Sequence, residues 1–236
     1  AGSHLTVTLE GDESLSRRPM ARLGEALAPL GARIDTSPGG TAPITVVGRR
    51  PLRGGEVTLP IPSAQVRTAV ALAAVSADGP TVIDSPPGFR DHTERWLESM
   101  GRGSRLGGTR FEVTPGPIPP LQITATGDPS SAAYLWAAAA LSPGSTVTVS
   151  GVSLNPGRLG ILTVLERMGA GVVMDEEGEL LGDPWGSVRV TGAALTGIEV
   201  AGELAVACLD ELPLVAVLGA AAEGDTVVSG AAELRV

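Results

Sequence analysis

The sequence predicts an α/β protein made of a unit repeated about three times, with its most apolar helices inside and its sheets forming an outer wall. Three observations predict it. A short β-branched run recurs as Gly79-Pro80-Thr81-Val82-Ile83, Gly144-Ser145-Thr146-Val147-Thr148 and Gly224-Asp225-Thr226-Val227-Val228, and Leu5-Thr6-Val7-Thr8-Leu9 has the same strand character. Before each of the last three runs in chain order lies an Ala-rich stretch almost free of charge, as expected of a helix buried on most faces. After three of the four strands comes a more polar stretch whose apolar residues keep helical spacing.

In chain order, Leu5 to Leu9 is the first strand, and Pro19 to Leu30 is an amphipathic helix with Leu23, Leu27 and Leu30 on one face. Ser63 to Ser76 is the first apolar helix, opened by a serine of N-cap type. The strand at Thr81 follows, and then the second amphipathic helix, Asp91 to Met100. Pro and Gly cluster from Pro115 to Pro120 between two strand-like runs, which divides the chain into domains at residues 1–120 and 121–236. Pro129 to Leu141 is the second apolar helix, and Arg158 to Met168 the third amphipathic one, through Ile161, Val164, Leu165 and Met168. Gly101 and Gly169 stand where a helix C-terminus favours glycine. Asp210 to Ala222 is the third apolar helix and leads into the last strand.

Composition narrows the partners. A chain of 236 residues with 43% hydrophobic content buries a large core, and a net charge of -9 with a pI near 4.7 argues against nucleic acid. A small anion is still compatible, because one or two placed Arg suffice for it. No apolar run reaches eighteen residues free of charge or turn residues, so no membrane span is expected. The single cysteine, Cys208, has no internal partner, and no Cys/His cluster has zinc-ligand spacing. Those features fit a reducing cytoplasm and a protein without a bound metal. The 17 basic residues are all Arg, so a reaction that needs lysine must take it from elsewhere. The Ala1-Gly2-Ser3-His4 start reads as a vector-derived remnant.

The run Gly11-Asp12-Glu13-Ser14-Leu15-Ser16-Arg17-Arg18-Pro19-Met20 resembles the enolpyruvyl transferase family, in the version of the bacterial 5-enolpyruvylshikimate-3-phosphate synthases. Further matches follow in order: Ser63-Ala64-Gln65-Val66, Arg90-Asp91-His92-Thr93-Glu94-Arg95, and Gly127-Asp128-Pro129-Ser130-Ser131-Ala132-Ala133. The stretch from Leu154 through Asn155-Pro156-Gly157-Arg158 to Leu162, and Asp210-Glu211 before Leu212-Pro213, complete the set. The resemblance implies an inside-out α/β barrel fold of βαβαββ units with buried helices, of which about three of six are present. It also implies that residues 1–120 are part of the shikimate-3-phosphate-binding domain and residues 121–236 the first part of a second domain. On that reading the chain is a middle fragment. A Gly-Ser-Lys-Ser strand and a Gly-Asn-Ala-Gly-Thr loop are missing before it, and a Lys-Glu-Ser-Asp-Arg segment after Val236.

The resemblance implies transfer of an enolpyruvyl group from phosphoenolpyruvate to shikimate 3-phosphate, by a cytoplasmic monomer that uses no cofactor and binds small molecules. It assigns Arg18 to the phosphate of phosphoenolpyruvate, for which a forked permanent charge is apt. Ser63 and the backbone of Ala64 hold the phosphate of shikimate 3-phosphate, and Gln65 contacts the substrates. Ser63 as a plain N-cap, and Arg18 as a surface residue at a helix start, are the structural alternatives. Arg67, two residues beyond Gln65, is expected at the surface. Asp210 is the expected catalytic carboxylate, hydrogen-bonded to the shikimate hydroxyl, with a pure cap as the alternative and Glu211 as its neighbour. Where the family has a serine this chain has Phe89, which donates no hydrogen bond, so either Arg90 takes over that phosphate contact or affinity for the substrate is reduced. His92 falls beside the shikimate ring or serves as a cap, and Asp128 and Asn155 read as caps. Two other readings stand beside this one. A UDP-N-acetylglucosamine enolpyruvyl transferase is disfavoured because no cysteine lies near Arg18, and a catalytically incomplete scaffold is supported by the absence of lysine.

Overall fold

Three times along the chain a strand is followed by a helix and then an antiparallel pair of strands, and each time the last of the three strands in sequence lies between the other two in the sheet. The computed structural model describes residues 2–61, 63–87 and 90–230. They cluster into two compact units, Ala1–Leu121 and Gln122–Val236.

Unit 1 runs through β1 (Thr6–Leu9), a 3-10 turn (Leu15–Arg17), α1 (Ala21–Leu27), β2 (Arg33–Asp35) and β3 (Ile44–Val47). It continues with β4 (Gly55–Thr58), α2 (Ala64–Ala74), β5 (Thr81–Asp84), α3 (His92–Ser99), β6 (Gly103–Gly107) and β7 (Arg110–Val113). Its sheets have orders β1-β3-β2 and β4-β5-β7-β6. The pair β4/β5 is parallel, because α2 carries the chain back between them, and β5/β7 and β6/β7 are antiparallel. Leu30, Leu52, Val57, Val70, Ile83, Leu97, Phe111 and Val113 form the core.

Unit 2 contains α4 (Pro129–Ala140), β8 (Thr146–Ser153), α5 (Gly160–Arg167), β9 (Gly171–Leu180) and β10 (Asp183–Thr191). Then come β11 (Glu199–Val200), α6 (Gly202–Ala207), a 3-10 turn (Leu209–Glu211), α7 (Leu212–Ala221) and β12 (Val227–Val228). The order β8-β10-β9 repeats that of unit 1, and β11 and β12 pair in parallel around α6 and α7. The core gathers Trp136, Ile161, Leu165, Met168, Val188, Val190, Val215 and Leu218. Among the described residues no sheet closes on itself, so the architecture is repeated α/β units with open sheets rather than a complete barrel.

Local chemistry sets the element ends. Asp128 accepts from the amides of Ser130 and Ser131, and Pro129 occupies the first turn of α4, where its missing N–H costs nothing. Gly101 and Gly169 follow α3 and α5 with φ of 66° and 105°, in the left-handed region a helix C-terminus uses. The first amphipathic helix stops the same way, at Gly31 with φ 78°.

The predicted ranking of burial needs one correction. In unit 1 the Ala-rich α2 is the deeper helix, burying Val66, Arg67, Val70, Ala71 and Ala74, whereas α1 buries only Ala26 and Leu27. In unit 2 the amphipathic α5 buries five of its eight residues, and the apolar α7 only Leu212, Val215 and Leu218 of ten. The reason is local packing: α5 lies among α4, α6 and β9, while α7 leaves Val217 54% exposed. Tyr134 and Leu135 of α4 are likewise exposed.

A second correction concerns Arg67, which is 2% exposed rather than at the surface. Its guanidinium is held on every side: Nε bonds the buried carboxylate of Glu94, Nη1 donates to Ser85 Oγ at 2.8 Å, and Nη2 donates to the Thr109 carbonyl at 2.9 Å. A buried charge is tolerated only when paired and hydrogen-bonded like this.

Candidate functional site

Because β4 and β5 run parallel and each feeds a helix, α2 and α3 start at the same edge of their sheet. Contacts near their N-terminal ends bear this out: Thr68 Oγ1 lies 2.7 Å from Thr93 Oγ1, and Arg67 meets Glu94. Ser63 is half-buried at the N-cap of α2, and its Oγ accepts from the Val66 amide at 3.4 Å. The amides of Ala64 and Gln65 belong to the first turn, which makes no bonds within the helix and favours anions. Gln65 is exposed, and its Oε1 accepts from Arg22 Nη2 at 3.3 Å. Arg22, on α1, went unnoticed in the sequence, where it reads as one polar residue of an amphipathic helix.

Arg90 and His92 are half-buried at the start of α3, and each already interacts within the protein. Asp91, the N-cap residue, bonds Arg95 at 2.9 Å and Arg105 at 2.9 Å instead of the helix amides. Phe89 lies outside the described residues. Arg18 is exposed and sits at the end of the 3-10 turn, and α1 begins three residues later, at Ala21. The backbone amides at the start of α1 are taken up: Met20 and Ala21 both donate to the Gly40 carbonyl, at 2.7 and 3.1 Å. Any anion role for Arg18 therefore rests on its side chain alone.

A cavity of about 110 Å³ lies beside the start of α2, lined by Arg22, Glu25, Thr58, Leu59, Ile61 and Val66 among others. It is smaller than the roughly 300 Å³ at which ordinary ligand pockets begin. Larger open grooves, of about 690 and 720 Å³, lie at Arg50, Leu72 and Gly116 and at Leu159, Met174 and Glu203; the second borders the motif from Leu154 to Leu162, but neither is lined by a residue assigned to substrate or catalysis. Among the described residues no cluster of His, Cys, Asp and Glu suits a metal ion.

In unit 2 three helix starts converge on a charged cluster. Asn155 is fully buried after β8; its Oδ1 accepts from the Gly157 amide at 2.9 Å and its Nδ2 donates to Asp183 at 2.6 Å. The turn it caps delivers Arg158, whose Nη2 bonds Asp128 Oδ1 at 2.5 Å and Ser130 Oγ at 2.9 Å. The Ser130 hydroxyl in turn donates to Glu211, which is 4% exposed. Glu211 precedes the first residue of α7 without bonding its amides, and Asp210 stands beside it in the 3-10 turn, exposed and with its own interaction in the protein. The apolar helix thus begins two residues after Asp210, at Leu212, not at Asp210 itself.

Charge in this cluster is ordered by its partners. Burial alone raises the pKa of Asp128, but the Ser131 hydroxyl and amide, Arg158 and the Ser130 amide outweigh it and hold the carboxyl below its usual range. Cys208, 0% exposed, is pushed up to about 12 by burial and by the negative charge of Glu211. It is a structural thiol, too poorly ionised to act as a nucleophile near neutral pH.

Comparison with known proteins turns this geometry into a class. A solved EPSP synthase of Acinetobacter baumannii superposes with a TM-score of 0.84 at 36% identity, covering 99% of this chain and 53% of that one. The enolpyruvyl transferase NikO of Streptomyces tendae shares the fold, with a TM-score of 0.66 at 18% identity over 89% of this chain and 51% of its own. The fold is therefore that of the enolpyruvyl transferases. A 3-phosphoshikimate 1-carboxyvinyltransferase of Halorhodospira halophila is 43% identical over 249 residues, spanning all of this chain and 53% of that protein. The family model described as EPSP synthase (3-phosphoshikimate 1-carboxyvinyltransferase) matches residues 1–236, and the chain belongs to that family. It spans about half the length of the curated relatives it matches.

Proposed function

We propose that the protein carrying this chain transfers the enolpyruvyl group of phosphoenolpyruvate to shikimate 3-phosphate, as a cytoplasmic step of aromatic amino acid biosynthesis. The match of the EPSP synthase family to the full sequence carries this reading. The start of α2 supports its binding half: a capping hydroxyl at Ser63, first-turn amides at Ala64 and Gln65, and a guanidinium from Arg22 suit a phosphate. Arg90 and His92, at the neighbouring start of α3, fall on the same sheet edge and extend that surface toward the sugar-like ring. Arg18, exposed on its turn, supplies charge for the phosphate of phosphoenolpyruvate.

Asp210 is the reacting carboxylate in this proposal. The shikimate hydroxyl attacks C2 of phosphoenolpyruvate, the methylene carbon takes a proton, and loss of a methyl proton then expels phosphate; Asp210 handles the hydroxyl proton. Its exposure suits a group that must reach substrate, whereas Glu211 is buried and already bonded by Ser130.

Titration of the isotope-labelled chain with shikimate 3-phosphate, followed by NMR, tests the half-site. The Ser63, Ala64 and Gln65 amides are expected to shift first, with a Kd on the order of 1 mM. Shifts confined to other amides would remove the phosphate assignment while leaving the family membership untouched.

A further inference from the structure

We infer that Ser130 and Arg158 are positioning residues for Asp210, acting through Glu211. The inference rests on the reading of Asp210 as the reacting carboxylate. Four charged or polar groups from three separate segments meet here in one chain of bonds. Arg158 donates to Asp128 and to the Ser130 oxygen, and Ser130 passes its own proton toward Glu211. A guanidinium can only donate and a carboxylate only accept, so Ser130 Oγ accepts from Arg158 and gives its hydrogen to Glu211, which fixes the direction of the chain.

The consequence falls on the neighbouring residue. Asp210 and Glu211 are adjacent in one 3-10 turn, yet Glu211 is 4% exposed and Asp210 is exposed. Both are carboxylates, so solvation alone favours neither as the buried one. The bond from Ser130 selects Glu211, and with that side chain drawn inward the turn presents Asp210 outward. Arg158 offsets two negative charges at once, Asp128 directly and Glu211 through the hydroxyl. The segment before α4, the turn after β8 and the start of α7 are thereby tied to a common point. Asn155, fully buried and bonded to Asp183, anchors the turn that carries Arg158. The Arg158 Nε atom is buried without a hydrogen-bond partner among the described residues, a cost consistent with a guanidinium held for its Nη2 bonds.

The test uses the full-length protein that carries this chain, with kcat, KM and melting temperature measured for Ser130→Ala, Ser130→Thr, Arg158→Lys and Asp210→Asn. A misplaced reacting group costs on the order of 10- to 100-fold in rate. Ser130→Ala is expected to lower kcat by about tenfold at nearly constant KM, and Ser130→Thr, which keeps the hydroxyl, to restore most of it. Arg158→Lys, which keeps the charge but loses the fork, is expected to fall between them. If Asp210→Asn abolishes turnover while Ser130→Ala and Arg158→Lys leave kcat intact, the positioning role is wrong and the function stands. A loss in Ser130→Ala that follows melting temperature and is not restored by threonine overturns the inference in favour of plain stability. An unaffected Asp210→Asn removes the reacting carboxylate and the inference with it, and an inactive unmodified protein overturns the proposed function first.

Discussion

Arg67 marks the limit of what a single residue reveals in a sequence. An arginine inside an Ala-rich helix reads as the one solvated position, because nothing local announces Glu94 twenty-odd residues on or the carbonyl of Thr109. Ser63 and Asp128 were legible as caps because a cap is a local device, satisfied within three residues. The buried pair yields a sharp prediction. Arg67→Met leaves Glu94 buried without its cation and is expected to cost about 3 to 5 kcal/mol in chemical denaturation. The double change Arg67→Met with Glu94→Leu leaves no lone charge and is expected to be milder than either single change. Cys208 gives another. Its thiol is raised from 9.0 to about 12 in the fold, so the folded state holds a proton that the unfolded state has released above pH 9. The associated stability is full below about pH 9 and declines as pH rises toward 12. Cys208→Ala is expected to flatten that alkaline decline in melting curves recorded from pH 8 to 11, and an unchanged slope would place its cause elsewhere.

At the scale of elements, the periodic helices and the repeated strands could be read, while their contacts could not. The strand preceding each amphipathic helix and the glycine ending two of the three were visible as composition, and the matching orders β1-β3-β2, β5-β7-β6 and β8-β10-β9 give that repetition a physical form. What stayed hidden was which helix is deeper. Apolar content suggested α7, but burial depends on what covers a helix, and α5 is covered on more sides. Gly160 shows how tightly. A Cβ placed there would lie 2.7 Å from Cys208 Sγ and 2.8 Å from the Ala207 carbonyl, so α5 meets the end of α6 along bare backbone. Alanine ordinarily strengthens a helix over glycine by about 1 kcal/mol. Gly160→Ala is expected to do the opposite, lowering stability by about 1 to 3 kcal/mol through overpacking. A melting temperature at or above that of the unmodified chain would show that the α5 and α6 backbones can separate at low cost.

For the molecule as a whole, the family was legible because its motifs are short, ordered and spread along the full chain. The convergence of helix starts was not, since it follows from strand pairing over long sequence separations. The same contrast bears on activity. Both proposed substrates are anions, and catalysis of their union depends on cations placed where charge develops. This chain has net charge -9 and no lysine among its 17 basic residues. Most of its arginines whose bonds are resolved are committed to carboxylates of their own, as Arg67 to Glu94, Arg105 to Asp91, Arg110 to Glu56 and Arg158 to Asp128. On the proposed reading only Arg18, Arg22 and Arg90 serve the phosphates, and each lost charge-assisted hydrogen bond weakens binding by about 1.5 to 3 kcal/mol. The 236-residue chain alone is therefore expected to bind phosphate weakly and to show no turnover in a coupled phosphate-release assay with both substrates. Turnover of roughly 1 per second or more, within the ordinary enzyme range, would mean that these arginines suffice without lysine.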